Sequence, residues 1–280
     1  MTISKLPLGD WIEQLIEFLT EHFAFLTHLL SSLIESGLDL FVEWVLYVPP
    51  WAVIIVLALA AWVISNRRVA LGTLLGLGLI WNLGLWEATV STIALVLIST
   101  CFSVFIGVPF GILSALSPLV RRAVMPVLDF MQTMPAFVYL IPAIPFFGLG
   151  PVAAIFTTMV FAMPPAIRMT CLGIQQVPEN LIEAADAFGS TTWQKLFKLQ
   201  LPLAAPTIMA GINQTIMLSL SMVVIAAMIG AGGLGGEVWR AIQRLWMGRG
   251  FEAGIAVVII AMILDRTTQN INLDKLRRKG

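Results

Sequence analysis

A chain of 280 residues that is 59% hydrophobic and only 11% charged, with a mean hydropathy of +0.93, lies outside the range of water-soluble globular domains and reads as an integral membrane protein. Sixteen basic and sixteen acidic residues cancel to a formal charge of zero, which leaves no long-range field to attract nucleic acid or a strongly acidic partner. Cys101 and Cys171 have no metal-ligand spacing and no third partner, so they read as packed thiols.

The opening MTISKLPLGDWIEQ has no apolar core before Asp10 and is neither a secretory signal nor an organelle-targeting peptide. From 10 to 48, Trp11, Ile12, Leu15, Ile16, Leu19 and Phe23 recur at helical spacing, while Glu13, Glu17 and Glu21 step by four along another face; Glu35, Asp39 and Glu43 repeat the step. This predicts an amphipathic helix in the membrane interface or packed on a partner, ended by Pro49 and Pro50. The isolated His22 and His28 lie on its exposed face.

Apolar runs follow at 51–65, 69–86, 88–116, 124–148, 152–170, 207–229 and 251–264, giving about seven transmembrane helices, of which the first and last need flanking residues to reach spanning length. Gly107, Pro109 and Gly111 interrupt one run, Pro135, Pro142 and Pro145 another, and Pro164 and Pro165 a third, so kinks or breaks are expected there. Such breaks favour a transport path over a passive anchor. Trp51, Trp62, Trp81 and Trp86 read as interface and packing aromatics.

Basic residues set the orientation. Placing Arg67 and Arg68 inside also places Arg121, Arg122, Arg168, Lys195, Lys198, Arg266, Lys275, Arg277, Arg278 and Lys279 inside, against Lys5, Arg240, Arg244 and Arg249 outside. The expectation is a multi-pass protein of the bacterial cytoplasmic membrane with its N-terminus outside and its C-terminus inside. The chain then divides into an amphipathic segment at 1–50, a transmembrane region at 51–270 holding a cytoplasmic loop at 178–206, and a basic tail at 271–280.

That loop is too polar to cross a bilayer. Pro178 and Glu179 open a helix, Leu181, Ile182, Ala185 and Phe188 form its apolar stripe, and Gly189 suits a left-handed cap. Ser190 or Thr191 then caps a second short helix with Trp193, Leu196 and Phe197, which Pro202 is expected to stop. On the residues alone this unit fits packing on its own bundle and docking to another protein equally well.

Glu183-Ala184-Ala185, then Gly189, then Leu199 and Leu201-Pro202 resemble the EAA loop of ABC importer permeases at every spacing, with Leu199 in place of isoleucine. The stretches LDFMQTMPAFVYLIPAIPFFGLG, FAMPPAIRMT, INQTIMLSLSMVVIAAMIGAGGLGGEV and ILDRTTQNI are similar to permeases of glycine betaine, proline betaine, carnitine and choline importers. The resemblance implies an all-α, type I importer (MetI-like) permease fold, and Glu183, Ala184, Ala185, Gly189, Leu199, Leu201 and Pro202 as the residues that couple to an ATPase. It further implies a second permease copy in a homodimer, two cytoplasmic ATPase subunits that bind ATP and Mg, and an extracytoplasmic substrate-binding protein. No GxxxxGK[ST] phosphate loop occurs, so the chain itself is expected to be no enzyme and to hold no cofactor or metal.

Candidates for the translocation path are Asp129, Gln132 and Thr133 on one run and Asn213, Gln214, Thr215, Ser219 and Ser221 on another. The same amides and hydroxyls also fit interhelical hydrogen bonding, and Asp129, seven residues past Arg122, fits a solvated or paired acid at the interface. The cluster 230–236 is expected to be an outer loop or gate hinge, followed by a short outer helix at 237–247 carrying Trp239, Ile242 and Leu245. Rival readings are a permease for amino acids or another small solute, and an ion-coupled secondary transporter; the latter predicts several midplane acids, where the runs offer Asp129 alone.

Overall fold

A computed structural model describes residues 7–269, and among the described residues every regular element is helical. Lys5 and the basic tail expected at 271–280 lie outside them. Helix α1 spans Leu8–Tyr47, and the chain turns at Val48 and Pro49 into α2, Pro50–Ile64, with an angle of 102° between 27–47 and α2. Proline explains the corner: Pro49 lacks an N–H for the helix before it, and Pro50 sits in the first turn of the next, where none is needed.

Only Ser65 and Asn66 separate α2 from α3, Arg67–Asn82, and the Asn66 side chain accepts hydrogen bonds from the backbone N–H groups of Arg68 and Val69 at 2.9 and 3.0 Å. Helix α4 follows at Trp86–Leu116, then α5 at Pro118–Thr133, a 3₁₀ turn at Ala136–Tyr139, and α6 at Leu140–Phe147. The chain bends by 113° between α5 and the segment 136–147, at Pro135. Helix α7 is Pro151–Gln175, and short helices α8, Glu179–Ala187, and α9, Thr192–Lys195, lead through a π turn at Leu196–Gln200 into α10, Leu201–Ala227. Helices α11, Gly233–Gln243, and α12, Met247–Gln269, complete the described chain.

The seven expected apolar runs are helical over most of their length, interrupted by non-helical residues at 83–85 and 134–135. Four helical runs are individually long and apolar enough to cross a membrane, namely α4, α7, 192–227 and α12; counting the two bent pairs as one span each gives six. The difference from seven lies in the second and third helices. At 16 residues α3 is about 24 Å long, short of a hydrocarbon core of about 30 Å, and α2 reaches spanning length only together with the end of α1.

Helix α7 packs on both α4 and α10 and forms the centre of the bundle. Close approach depends on missing side chains. A Cβ on Gly111 would lie 2.6 Å from the Thr170 Cβ and 2.7 Å from the Ile167 carbonyl, and one on Gly211 would lie 2.6 Å from the Met169 Cβ. Gly107 similarly faces Ala166, so Gly107 and Gly111, one turn apart, form a small-residue seam along α7. The helices continue without a break through Pro109 and Pro164-Pro165, whereas Pro135 does break its run. The glycines beside Pro109 serve packing, and the neighbouring helices hold α4 and α7 in place across the missing donors.

Two apolar clusters fill the bundle. Leu77, Ile80, Val96, Met217, Leu234 and Ile260 tie α3, α4 and α10 to α11 and α12, while Leu38, Leu95, Ala143, Ile155 and Ala226 bring the second half of α1 against α4, α6, α7 and α10. The amphipathic segment is thus docked on the bundle through its C-terminal half.

Candidate functional site: the α8–α9 coupling surface

The loop between α7 and α10 folds as two short helices that hold themselves together. Phe188 ends α8, and Gly189 adopts φ +74°, with its N–H donating to the Asp186 carbonyl at 2.9 Å and the Ser190 N–H reaching back to Ala185 at 3.0 Å. This reciprocal pair is a Schellman closure, and a side chain at 189 would be strained by the left-handed backbone alone. Thr191, rather than Ser190, caps α9: its Oγ1 accepts from the Gln194 N–H at 3.3 Å while the Gln194 Oε1 accepts from the Thr191 N–H at 2.8 Å. Lys195 Nζ lies 2.5 Å from Asp186 Oδ1 and ties the two helices across the turn.

Burial divides this unit sharply. No side chain of α8 or α9 is buried, and Phe188, Trp193 and Phe197 are 90%, 66% and 59% exposed. Trp193 and Phe197 stack with ring centres 5.9 Å apart. Just beyond, Leu196 is fully buried with Ile174 and Ala204, and Leu201 packs against that cluster. Glu183, Ala184 and Gly189 are exposed and Ala185 half-buried; Leu199, Leu201 and Pro202 are half-buried at the root. The first four present a face, and the last three seat it on the bundle.

Pro202 does not stop the second helix as expected. The Leu201 N–H donates to the Leu196 carbonyl five residues back, and this π register carries the chain past Pro202, which occupies the first turn of α10 where its missing donor is tolerated. The second short helix and α10 thus form one continuous helical run, 192–227.

The polar candidates do not converge: among the described residues no hydrogen bond joins any two of them. Asp129 is paired with Arg168 of α7, Oδ1 to Nη2 at 2.7 Å, in an exposed ion pair, matching the paired interfacial acid. Gln132 and Thr133 are exposed beside it. On α10, the Asn213 Nδ2 donates to Asp265 Oδ1 at 2.9 Å, its Oδ1 accepts from the Thr268 hydroxyl, and Gln269 Nε2 donates to the same Asp265 oxygen at 2.6 Å. Ser219 is buried and accepts from Thr100 of α4 at 3.1 Å, and Thr215 returns its hydroxyl to the Gly211 carbonyl. These three positions serve interhelical or intrahelical bonding. Gln214 and Ser221 remain on an exposed face of α10.

Asp265 is a further polar residue that the apolar run ending at 264 does not include, because α12 continues past Leu264 to Gln269. The signal was available in the spacing of Asp265, Thr268 and Gln269, which helical periodicity places on one face. Cluster 230–236 is also tighter than an open loop. Gly230, Gly232 and Gly233 have φ of +94°, +71° and +63°, the Leu234 N–H donates to Thr92 Oγ1 at 2.8 Å, and a Cβ on Gly235 would lie 2.3 Å from the Val223 carbonyl. The helix expected at 237–247 accordingly starts at Gly233 and ends at Gln243, leaving Leu245 outside it at φ +55°.

The family model for the binding-protein-dependent transport system inner membrane component matches residues 107–272. The chain belongs to this family. Its matched region holds α7, the α8–α9 unit and α10, so the exposed surface described above lies within the part of the chain that the family model covers. The chain is 52% identical over 280 residues to the glycine betaine transport system permease protein OpuAB of Bacillus subtilis, covering 99% of this chain and 98% of that protein. It is 52% identical to the glycine betaine/carnitine transport permease protein GbuB of Listeria monocytogenes, covering 96% and 97%, and 47% identical to the glycine betaine/proline betaine transport system permease protein ProW of Escherichia coli, covering 98% and 77%. Among solved structures, an inward-facing MetNI methionine ABC transporter matches with a TM-score of 0.58 at 25% identity, covering 68% of this chain and 92% of the matched chain. The fold is therefore the MetI-like permease fold of ABC importers.

Proposed function

We propose that this chain is the membrane-spanning permease subunit of an ATP-driven importer of a small quaternary-ammonium solute such as glycine betaine, and that separate ATPase subunits drive it through α8 and α9. The observation that carries the coupling role is the rigid, doubly capped pair of helices whose Phe188, Trp193 and Phe197 stand in solvent at the root of a membrane helix. Likeness to three permeases named for glycine betaine, at 47–52% identity along nearly the whole chain, supports the solute class.

On this reading two copies form a homodimer, two ATPases bind ATP and Mg on the cytoplasmic side, and a substrate-binding protein delivers solute outside. The α8–α9 unit and the described end of α12 lie inside, as the arginine distribution favours; the N-terminus lies outside on a seven-span count and inside on a six-span one. ATPase closure moves α8 and α9 as one body because Lys195–Asp186 and the Gly189 turn lock them together, and the helical run 192–227 transfers that motion to the bundle, biasing it between two openings. The exposed face of α10 bearing Gln214 and Ser221 is the remaining part of the proposed path, although the Ser221 hydroxyl donates to the Met217 carbonyl at 2.9 Å. A neutral, methylated zwitterion needs few charges along its route, in keeping with an Asp129 held by Arg168 and an Asp265 held by Asn213 and Gln269.

The test is uptake of radiolabelled glycine betaine into cells expressing the permease with its ATPase and binding protein, competed with choline, carnitine and amino acids. Competition by quaternary ammonium solutes is expected; competition by amino acids alone would replace the solute class and leave the coupling role standing.

A further inference from the structure

A groove of about 610 Å³ runs between α3 and α12, lined by no residue of α5, α8, α9 or α10. Its walls are apolar, with Gly72, Ile259 and Ile263 along its length, and Arg68 and Arg266 line it together with Asn66. Gly76, against Ile259, marks the far end, two turns and about 12 Å from Arg68 along α3. The groove is thus apolar in the depth of the membrane and basic at its mouth.

Local electrostatics at that mouth call for an anion. Arg67 and Arg68 occupy the first turn of α3, where the helix dipole is already positive and where no acidic residue is present. The two arginines part company: Arg67 lies over the Trp62 ring at 5.7 Å, beside a separate groove shared by α2 and α3, while Arg68 faces the α3–α12 groove. Arg68 has no carboxylate partner among the described residues. Asn66 is engaged in capping the helix, so it fixes Arg68 without neutralising it.

We infer that this groove is a binding site for one anionic phospholipid, its phosphate at Arg68 and an acyl chain lying over Gly72 toward Ile259. A basic mouth between membrane helices matches a lipid headgroup, and the apolar length behind it matches the attached chain, which neither a soluble anion nor an acidic peptide supplies. Gly72 makes the room: nothing stands within 4 Å of where its Cβ would be. The bound lipid fills the seam between the short helix α3 and α12.

The test uses the complete transporter in nanodiscs of mixed phosphatidylglycerol and phosphatidylcholine, extracted mildly and weighed by native mass spectrometry. Phosphatidylglycerol is expected to stay on the permease in preference to phosphatidylcholine. Arg68→Gln should lower its retention about fivefold, while Arg68→Lys retains most of it and Arg67→Gln costs less than Arg68→Gln. Gly72→Leu, which fills the groove and leaves every charge in place, should also lower retention. Equal retention of the two lipids, or unchanged retention in Arg68→Gln, would overturn the site. Loss in Arg68→Gln with none in Gly72→Leu would reduce it to a surface anion contact and equally refute the groove.

Discussion

The seam of α4, α7 and α10 and the α8–α9 unit lie in the same chain but are built by opposite rules. In the seam, glycines let backbones touch, and the hydroxyls of Ser99, Ser103, Thr157 and Thr215 are returned to carbonyls within the bundle, while those of Thr89, Thr158 and Thr170 find no partner among the described residues. In the loop, the backbone is fully closed by its own caps, yet its largest apolar side chains are left facing solvent. An element that spends its hydrogen bonds on rigidity and leaves its aromatics uncovered is shaped for contact with another subunit. The seam holds the bundle together; the loop leaves a surface uncovered.

The largest effect should come from the seam. Gly111→Val places atoms against both Thr170 and the Ile167 carbonyl and should destabilise the bundle by about 1–3 kcal/mol, read as loss of monodisperse protein in detergent, with ATPase binding failing only as a consequence. Phe188→Ala should do the reverse: unchanged thermal stability of the isolated permease, with ATPase association weakened by about 2 kcal/mol, or roughly thirtyfold. Equal losses of stability for both variants would erase the distinction between the two regions.

Smaller changes sharpen it within the loop. Thr191→Ala removes the capping box and should cost about 1 kcal/mol of local order, seen as faster amide exchange confined to α9 and a lower transport rate. Asp186→Ala breaks the pair with Lys195, whose two side chains are 19% and 52% exposed in the order lysine, aspartate, and should cost well under about 1 kcal/mol. Transport that falls more steeply than stability in this variant would show that the link acts as part of the lever.

The loop was legible in the sequence because its determinants are local: proline at 178, glycine at 189, threonine at 191 and glutamine at 194 each act within a few residues. The corner at Pro49-Pro50 and the break at Pro135 were legible for the same reason. What depends on distant partners was not. Gly107 and Gly111 look like helix breakers until α7 is placed against them, and Pro202 looks like a stop until the π turn before it is seen. Asn213 looks like a path residue until Asp265 and Thr268 arrive from α12, more than fifty positions away. The short length of α3 was masked by an apolar run that continues past its end, through Leu83 and Leu85 to Trp86, without being helical throughout.

The central claim is that α8 and α9 are the surface on which the ATPase acts. A photoreactive benzoylphenylalanine at position 188, in the transporter assembled with its ATPase and binding protein, tests it directly on irradiation in native membranes. The account predicts an adduct of the permease with the ATPase that is lost when the ATPase is omitted; an adduct with the binding protein, or with another part of the permease in the complete assembly, would contradict it.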